Sequence, residues 1–161
     1  MVNQLENYCT NVDEIIKLAE EQLDDFEPRG IGEKFEFSTQ YGNSRMKSLF
    51  HFKMKDELKD AIFKTIPEKR ITVDKIVINR YEPGDYLVKH TDHMQGCWKF
   101  NLVFLRSDKP HLKWYDKDNK GHFVDEIPGA LFEMPITTPH EVTEIGQDER
   151  PKYSLVLIWG E

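Results

Sequence analysis

From residue 71 onward the chain runs as short β-prone segments separated by turn signals, and this pattern restricts the fold more than any other feature. Ile71, Val73, Ile76, Val77 and Ile78 lead into Asn79-Arg80-Tyr81. Pro83-Gly84-Asp85 marks a turn, with Gly84 supplying the turn conformation. Tyr86-Leu87-Val88-Lys89-His90 then reads as a strand. Phe100-Asn101-Leu102-Val103-Phe104-Leu105 reads as a central one, because it is nearly all apolar. Ser107-Asp108-Lys109-Pro110 turns the chain and Leu112-Lys113-Trp114-Tyr115 returns it. Asp118-Asn119-Lys120-Gly121 is a hairpin-type turn, and His122-Phe123-Val124 pairs back. Pro128-Gly129 turns again before Ala130-Leu131-Phe132-Glu133-Met134, and Ser154-Leu155-Val156-Leu157-Ile158-Trp159 is a further strand.

The first 70 residues read differently. Ile15, Ile16, Leu18, Ala19, Gln22 and Leu23 recur at helical spacing and predict a helix over 11–25, with Asn11 or Asp13 as its cap. Pro28-Arg29-Gly30, with Gly32, breaks it. Lys34-Phe35-Glu36-Phe37-Ser38 alternates as a half-buried strand does, and Gln40-Tyr41-Gly42-Asn43-Ser44 reads as a loop. Residues 46–54 fit a strand or a loop. Leu58, Ala61, Ile62 and Phe63 give one apolar side to a helix from Asp56 to Ile66, with Pro67 beyond its end. Two helices followed by about eight short strands predict an α+β, mainly β chain. The expected architecture is a double-sheet jelly roll with the N-terminal helices packed on one sheet. Residues 1–161 form one domain in this reading, 1–70 as helical support and 71–161 as the core. Residues 26–48 are either a cover over the mouth of the sandwich or a plain connection.

Composition narrows the function. At 161 residues, with 39% hydrophobic and 12% aromatic residues, the chain can bury a proper core. No apolar run is long enough to span a membrane, and Met-Val-Asn-Gln-Leu-Glu-Asn has neither the basic nor the apolar region of a secretory signal. Two cysteines, Cys9 and Cys97, make no disulfide framework, so a reducing, cytoplasmic setting is expected. The net charge of -7 argues against general nucleic-acid binding. Residues 45–75, however, carry nine bases against five acids, which leaves a local positive surface to account for.

The chemistry concentrates in three places. His90 and Asp92 are two residues apart, so on a strand both side chains face one way and can reach one ion. His140, inside Pro139-His140-Glu141-Val142, can complete the set. Two imidazoles and one carboxylate with open positions left over form the facial triad of non-haem Fe(II) oxygenases. An oxygenase that uses a diacid co-substrate also needs a cation for the far carboxylate. Lys152 and Arg150 are the two candidates, with Ser154 and Tyr81 hydroxyls as partners. His93 and His122 are better read as surface or core histidines, and Trp98, Trp114 and Trp159 as core or cleft wall.

The ordered set Asn79-x-Tyr81-x-Pro83-Gly84, His90-x-Asp92, Pro139-His140-x-Val142 and Lys152-x-Ser154 resembles the Fe(II)/2-oxoglutarate-dependent dioxygenase superfamily over roughly residues 71–161. The resemblance implies a double-stranded β-helix core and an iron-bound catalytic centre of His90, Asp92 and His140. It implies that Asn79 and Tyr81 contact 2-oxoglutarate, with Lys152, or alternatively Arg150, on its far carboxylate. The cofactors implied are Fe(II), 2-oxoglutarate and O2, and the reaction is hydroxylation of a C–H bond with release of succinate and CO2.

Two branches of the superfamily compete. Val103-Phe104-Leu105, Leu112-Lys113-Trp114-Tyr115 and Pro128-Gly129-Ala130-Leu131-Phe132 look like the prolyl hydroxylases, which implies a protein or peptide substrate. Pro110-His111 departs from that branch, where Gly-Gly is usual. Asn79-Arg80-Tyr81-x-Pro83-Gly84 looks like the AlkB-like nucleic-acid demethylases, but their second arginine would fall on Ile158. In that branch Lys53, Lys55, Lys59, Lys64 and Lys69 would meet phosphates. A non-catalytic metal-binding module on the same jelly roll is the reading from another class. A zinc hydrolase on the same three ligands leaves Tyr81, Lys152 and Ser154 without a job.

Overall fold

The computed structural model describes residues 2–30, 44–66, 76–92 and 99–157. Their backbone forms two antiparallel sheets facing each other, with two helices on the outside of the larger one. The helices are α1 (Val12–Glu20) and α2 (Asp56–Thr65). The strands are β1 (Asn3–Leu5), β2 (Glu27–Gly30), β3 (Arg45–Phe50), β4 (Ile76–Tyr81), β5 (Leu87–His90), β6 (Lys99–Arg106), β7 (Leu112–Tyr115), β8 (Gly121–Phe123), β9 (Leu131–Pro135), β10 (His140–Val142) and β11 (Lys152–Leu157). The larger sheet runs β1-β9-β6-β11-β4-β3-β2 and the smaller β5-β10-β7-β8. Sequence neighbours such as β4 and β5, or β6 and β7, lie in opposite sheets, which is the expected jelly roll.

Alternation along the central strands divides the core in two. Ile76, Ile78, Val103, Leu105, Leu155 and Leu157 point outward and pack under Ile15, Ile16 and Ala19 of α1 and Leu58, Ala61 and Ile62 of α2. Tyr81, Leu102, Phe104, Phe132 and Met134 point inward, against Leu87, Leu112 and Val142 of the smaller sheet. Both clusters are buried, and the larger sheet separates the sandwich interior from the helical layer.

Several boundaries differ from the sequence reading. The first helix stops at Glu20, and a single tight turn, Leu23–Asp25, follows. Gln22 ends it: its amide donates to Asp25 and to the Lys53 carbonyl and accepts from the Lys55 N–H, which ties the chain to the start of α2. Asn11 does not cap its helix, because its side chain reaches across to the Ala61 carbonyl and Thr65. Pro28-Arg29-Gly30 is part of edge strand β2, where a missing N–H costs nothing. Residues 46–54 resolve into β3 and a short turn at His51–Lys53. Thus the N-terminal part contributes three strands to the larger sheet as well as two helices. The expected strand Lys34–Ser38, loop residues 40–43, and Ile71, Val73, His93, Cys97, Trp98 and Trp159 lie outside the described residues. The Pro83-Gly84 and Pro128-Gly129 turns are present, with φ of 89° at Gly84 and 83° at Gly129. A side chain at Gly129 would collide with the Cys9 carbonyl, and the Cys9 N–H donates to Gly129 at 2.9 Å.

Candidate active site

Antiparallel pairing sets the last residue of β5 against the first of β10, so His90 and His140 are direct cross-strand partners. Their rings are 4.4 Å apart between centroids. Asp92 follows β5 by two residues and folds back between them. Its Oδ1 lies 3.5 Å from His90 Nε2 and its Oδ2 3.3 Å from His140 Nε2. The three ligand atoms fall within 4.8 Å of one another, and all three side chains are buried.

The backbone decides which imidazole nitrogens face inward. His90 Nδ1 lies 2.7 Å from the Val88 carbonyl and His140 Nδ1 lies 2.9 Å from the Thr138 carbonyl. A carbonyl can only accept, so each Nδ1 carries the proton and each Nε2 offers a lone pair to the centre. Val88 is itself held: its N–H donates to Ser44 Oγ at 2.8 Å. The turn before β5 is tied down by an Arg45–Asp85 ion pair at 3.1 Å and by paired backbone bonds between Arg45 and Tyr86. Phe100 packs on His140 at 5.0 Å. Burial pushes the Asp92 carboxyl up, and His140 and His90, when their Nε2 atoms carry protons that a metal ion would displace, outweigh it and hold the group well below the usual carboxylate range. Two neutral imidazole lone pairs and one ionised carboxylate converging on one point fit Fe(II).

On the facing sheet, β4 and β11 present the other residues singled out from the sequence. Ser154 pairs with Asn79 and Lys152 with Tyr81 in the strand register. Tyr81, Lys152 and Ser154 are each 2% exposed. Asn79 Oδ1 accepts from Ser48 Oγ on β3 at 2.7 Å, and Arg29 of β2 donates to the same Ser48 oxygen at 3.3 Å. Arg150 is elsewhere. It lies on the surface, with its guanidinium 2.7 Å and its backbone N–H 2.7 Å from the Asp108 carboxylate. Of the two candidate cations, Lys152 is the one inside the sandwich.

Lys152 already has a partner. Its ammonium donates to Glu126, whose other oxygen accepts the N–H of His111 at 2.6 Å and of Leu112 at 3.0 Å. Burial alone pushes the lysine down to about 7. The contacting carboxylate opposes this by favouring the charged ammonium. His111, the residue standing where Gly is usual in the prolyl hydroxylases, is buried with its ring 2.7 Å from Glu149 and 2.9 Å from Thr143. Sequence reading misses Glu126 and His111 because neither sits at a diagnostic spacing from the triad. The departure at Pro110-His111 was the one available signal. His122 holds no place near the triad's centre: it bonds Asp116 at 2.8 Å and stacks on Trp114 at 4.5 Å. Trp114 is also the cross-strand neighbour of His140, so this stacked pair extends one wall from the triad.

No protein-family model matches the sequence, and no curated protein does. Solved structures do match. A Pseudomonas putida prolyl-4-hydroxylase superposes with a TM-score of 0.64 at 19% identity, over 99% of this chain and 92% of that one. The chain has the fold of the 2OG-Fe(II) oxygenases. A Trichoplax adhaerens prolyl hydroxylase, solved with a hypoxia inducible factor peptide, matches with a TM-score of 0.67 at 17% identity, over 98% of this chain and 83% of that one. A non-heme alpha-ketoglutarate-dependent carbocyclase of nogalamycin biosynthesis matches with a TM-score of 0.69 at 10% identity, over 98% and 79%. Identities this low carry the fold and leave activity to the residues of the site.

Proposed function

We propose that this chain is an Fe(II)- and 2-oxoglutarate-dependent dioxygenase that hydroxylates a C–H bond, with a protein or peptide side chain as substrate. The observation that carries the reading is the buried His90–Asp92–His140 cluster, with both Nε2 atoms turned inward by backbone carbonyls. These three would hold Fe(II). Bound iron with 2-oxoglutarate and O2 supplies the oxidising chemistry, with succinate and CO2 as co-products.

The chain's own groups do the rest. Val88 and Thr138 carbonyls keep each imidazole in the ligating tautomer. Asn79, Tyr81, Lys152 and Ser154 share the inner face of the larger sheet, where they would orient the co-substrate by hydrogen bonds. Phe100 and Trp114 flank His140 and exclude water from that side. The peptide class rests on the prolyl-hydroxylase neighbours. It is also favoured by the state of the basic segment. Lys53 pairs with Glu27, Lys59 with Asp56 and Lys64 with Glu14, so those charges are partly spent within the chain; Lys69 lies outside the described residues.

Anaerobic addition of Fe(II) and saturating 2-oxoglutarate should give a visible charge-transfer absorption, and admission of O2 should release succinate. His90→Ala should lose metal binding and lower succinate release by on the order of a hundredfold or more. Iron binding without absorption or succinate would instead support a non-catalytic metal module.

A further inference from the structure

Lys152 is the one buried lysine or arginine among the described residues. Its side chain is 3% exposed and that of Glu126 2%. The lysine packs over the Phe104 ring and donates to Glu126. Glu126 is seated independently of it, because the backbone N–H groups of His111 and Leu112, at the start of β7, both donate to its second oxygen. A carboxylate taking two backbone N–H groups and an ammonium is fixed in place by three donors that favour its charged form. The positive charge of Lys152 is therefore matched inside the chain before any ligand arrives.

An ammonium has three N–H donors, and one goes to Glu126. The other two can serve a ligand oxygen, so Lys152 can still hydrogen-bond the far end of a co-substrate. What it cannot offer is net charge. The far carboxylate of 2-oxoglutarate would meet a neutral pair, with the Glu126 charge beside it in a desolvated space. Like charges in such a space oppose each other. A 2-oxo acid with an uncharged tail escapes that repulsion.

We propose that Glu126 is a specificity-determining residue for the co-substrate: by occupying Lys152 it cancels the advantage of a far carboxylate, so 2-oxo acids with uncharged tails rival 2-oxoglutarate. The mechanism is selection by a built-in repulsive group. It rests on the oxygenase reading above.

The test compares anaerobic binding of 2-oxoglutarate and 2-oxovalerate, which has the same five carbons without the far carboxylate. Both are titrated into the Fe(II)-loaded protein and followed by absorption and calorimetry. In the wild type the two Kd values should lie within about tenfold of each other. In Glu126→Gln, which keeps an acceptor for the two backbone N–H groups, 2-oxoglutarate should tighten by about tenfold or more while 2-oxovalerate stays within about twofold. A wild-type preference for 2-oxoglutarate above tenfold overturns the proposal, and so does a Glu126→Gln protein that binds it no tighter. The wild-type ratio decides alone if the variant does not fold. Binding of neither acid to either protein would remove the oxygenase reading itself, which is a separate outcome.

Discussion

The outer face of the larger sheet, under α1 and α2, carries Ile76, Ile78, Val103, Leu105, Leu155 and Leu157, all within 1% of full burial. The inner face of the same strands carries Asn79, Tyr81, Lys152 and Ser154, and Lys152 and Ser154 are nearly as buried. At these positions one face is hydrocarbon against hydrocarbon; the other holds an ion pair and hydroxyl groups. Burial is the same and chemistry is not. Adjacent residues on β11, such as Ser154 and Leu155, therefore answer to different demands. Outward positions need volume, while inward ones need a partner for every polar atom.

Lys152→Met should break that contrast most severely. It leaves Glu126 charged and buried with no cation, and chemical denaturation should report a loss of about 3–5 kcal/mol. Lys152→Met combined with Glu126→Gln should recover at least half of it. A single variant as stable as wild type would mean that the pair is not ionised in the folded protein.

Leu155→Ala probes the outer face. It should cost about 2–5 kcal/mol by opening a cavity under the helices. Fe(II) affinity of the folded variant should stay within about twofold of wild type, because the sheet separates the two cores. A large loss of metal affinity would show that the helical layer and the site are coupled.

Arg150→Ala should have the smallest effect. Its partner Asp108 lies on the surface, and 2-oxoglutarate affinity should change by less than about twofold. A large loss would move the co-substrate's cation from Lys152 to Arg150.

The same division explains what can be read from the sequence. The core strands are legible because inward and outward residues alternate, and the triad because His90 and Asp92 keep a two-residue spacing that any strand end converts into proximity. β1 and β2 are not legible. Asn3–Leu5 is too short to alternate, and Glu27–Gly30 has the composition of a turn; their order comes from β9 and β3 alongside them. Glu126 is hidden for a deeper reason. Its partners are a lysine 26 residues later and two backbone N–H groups 14 and 15 residues earlier. No local pattern encodes a contact made by three separate segments.

β11 lies between β6 and β4, in the middle of the larger sheet, although every other described strand precedes it in the chain. Without β11 the sheet would be two pieces, β1-β9-β6 and β4-β3-β2, with bare edges at β6 and β4. Both edges are completed only when residues 152–157 insert between them. The strand that carries Lys152 and Ser154 is thus the one that joins the two pieces of the larger sheet. Until it inserts, a nascent chain offers two unpaired strand edges to chaperones and to other nascent chains alike.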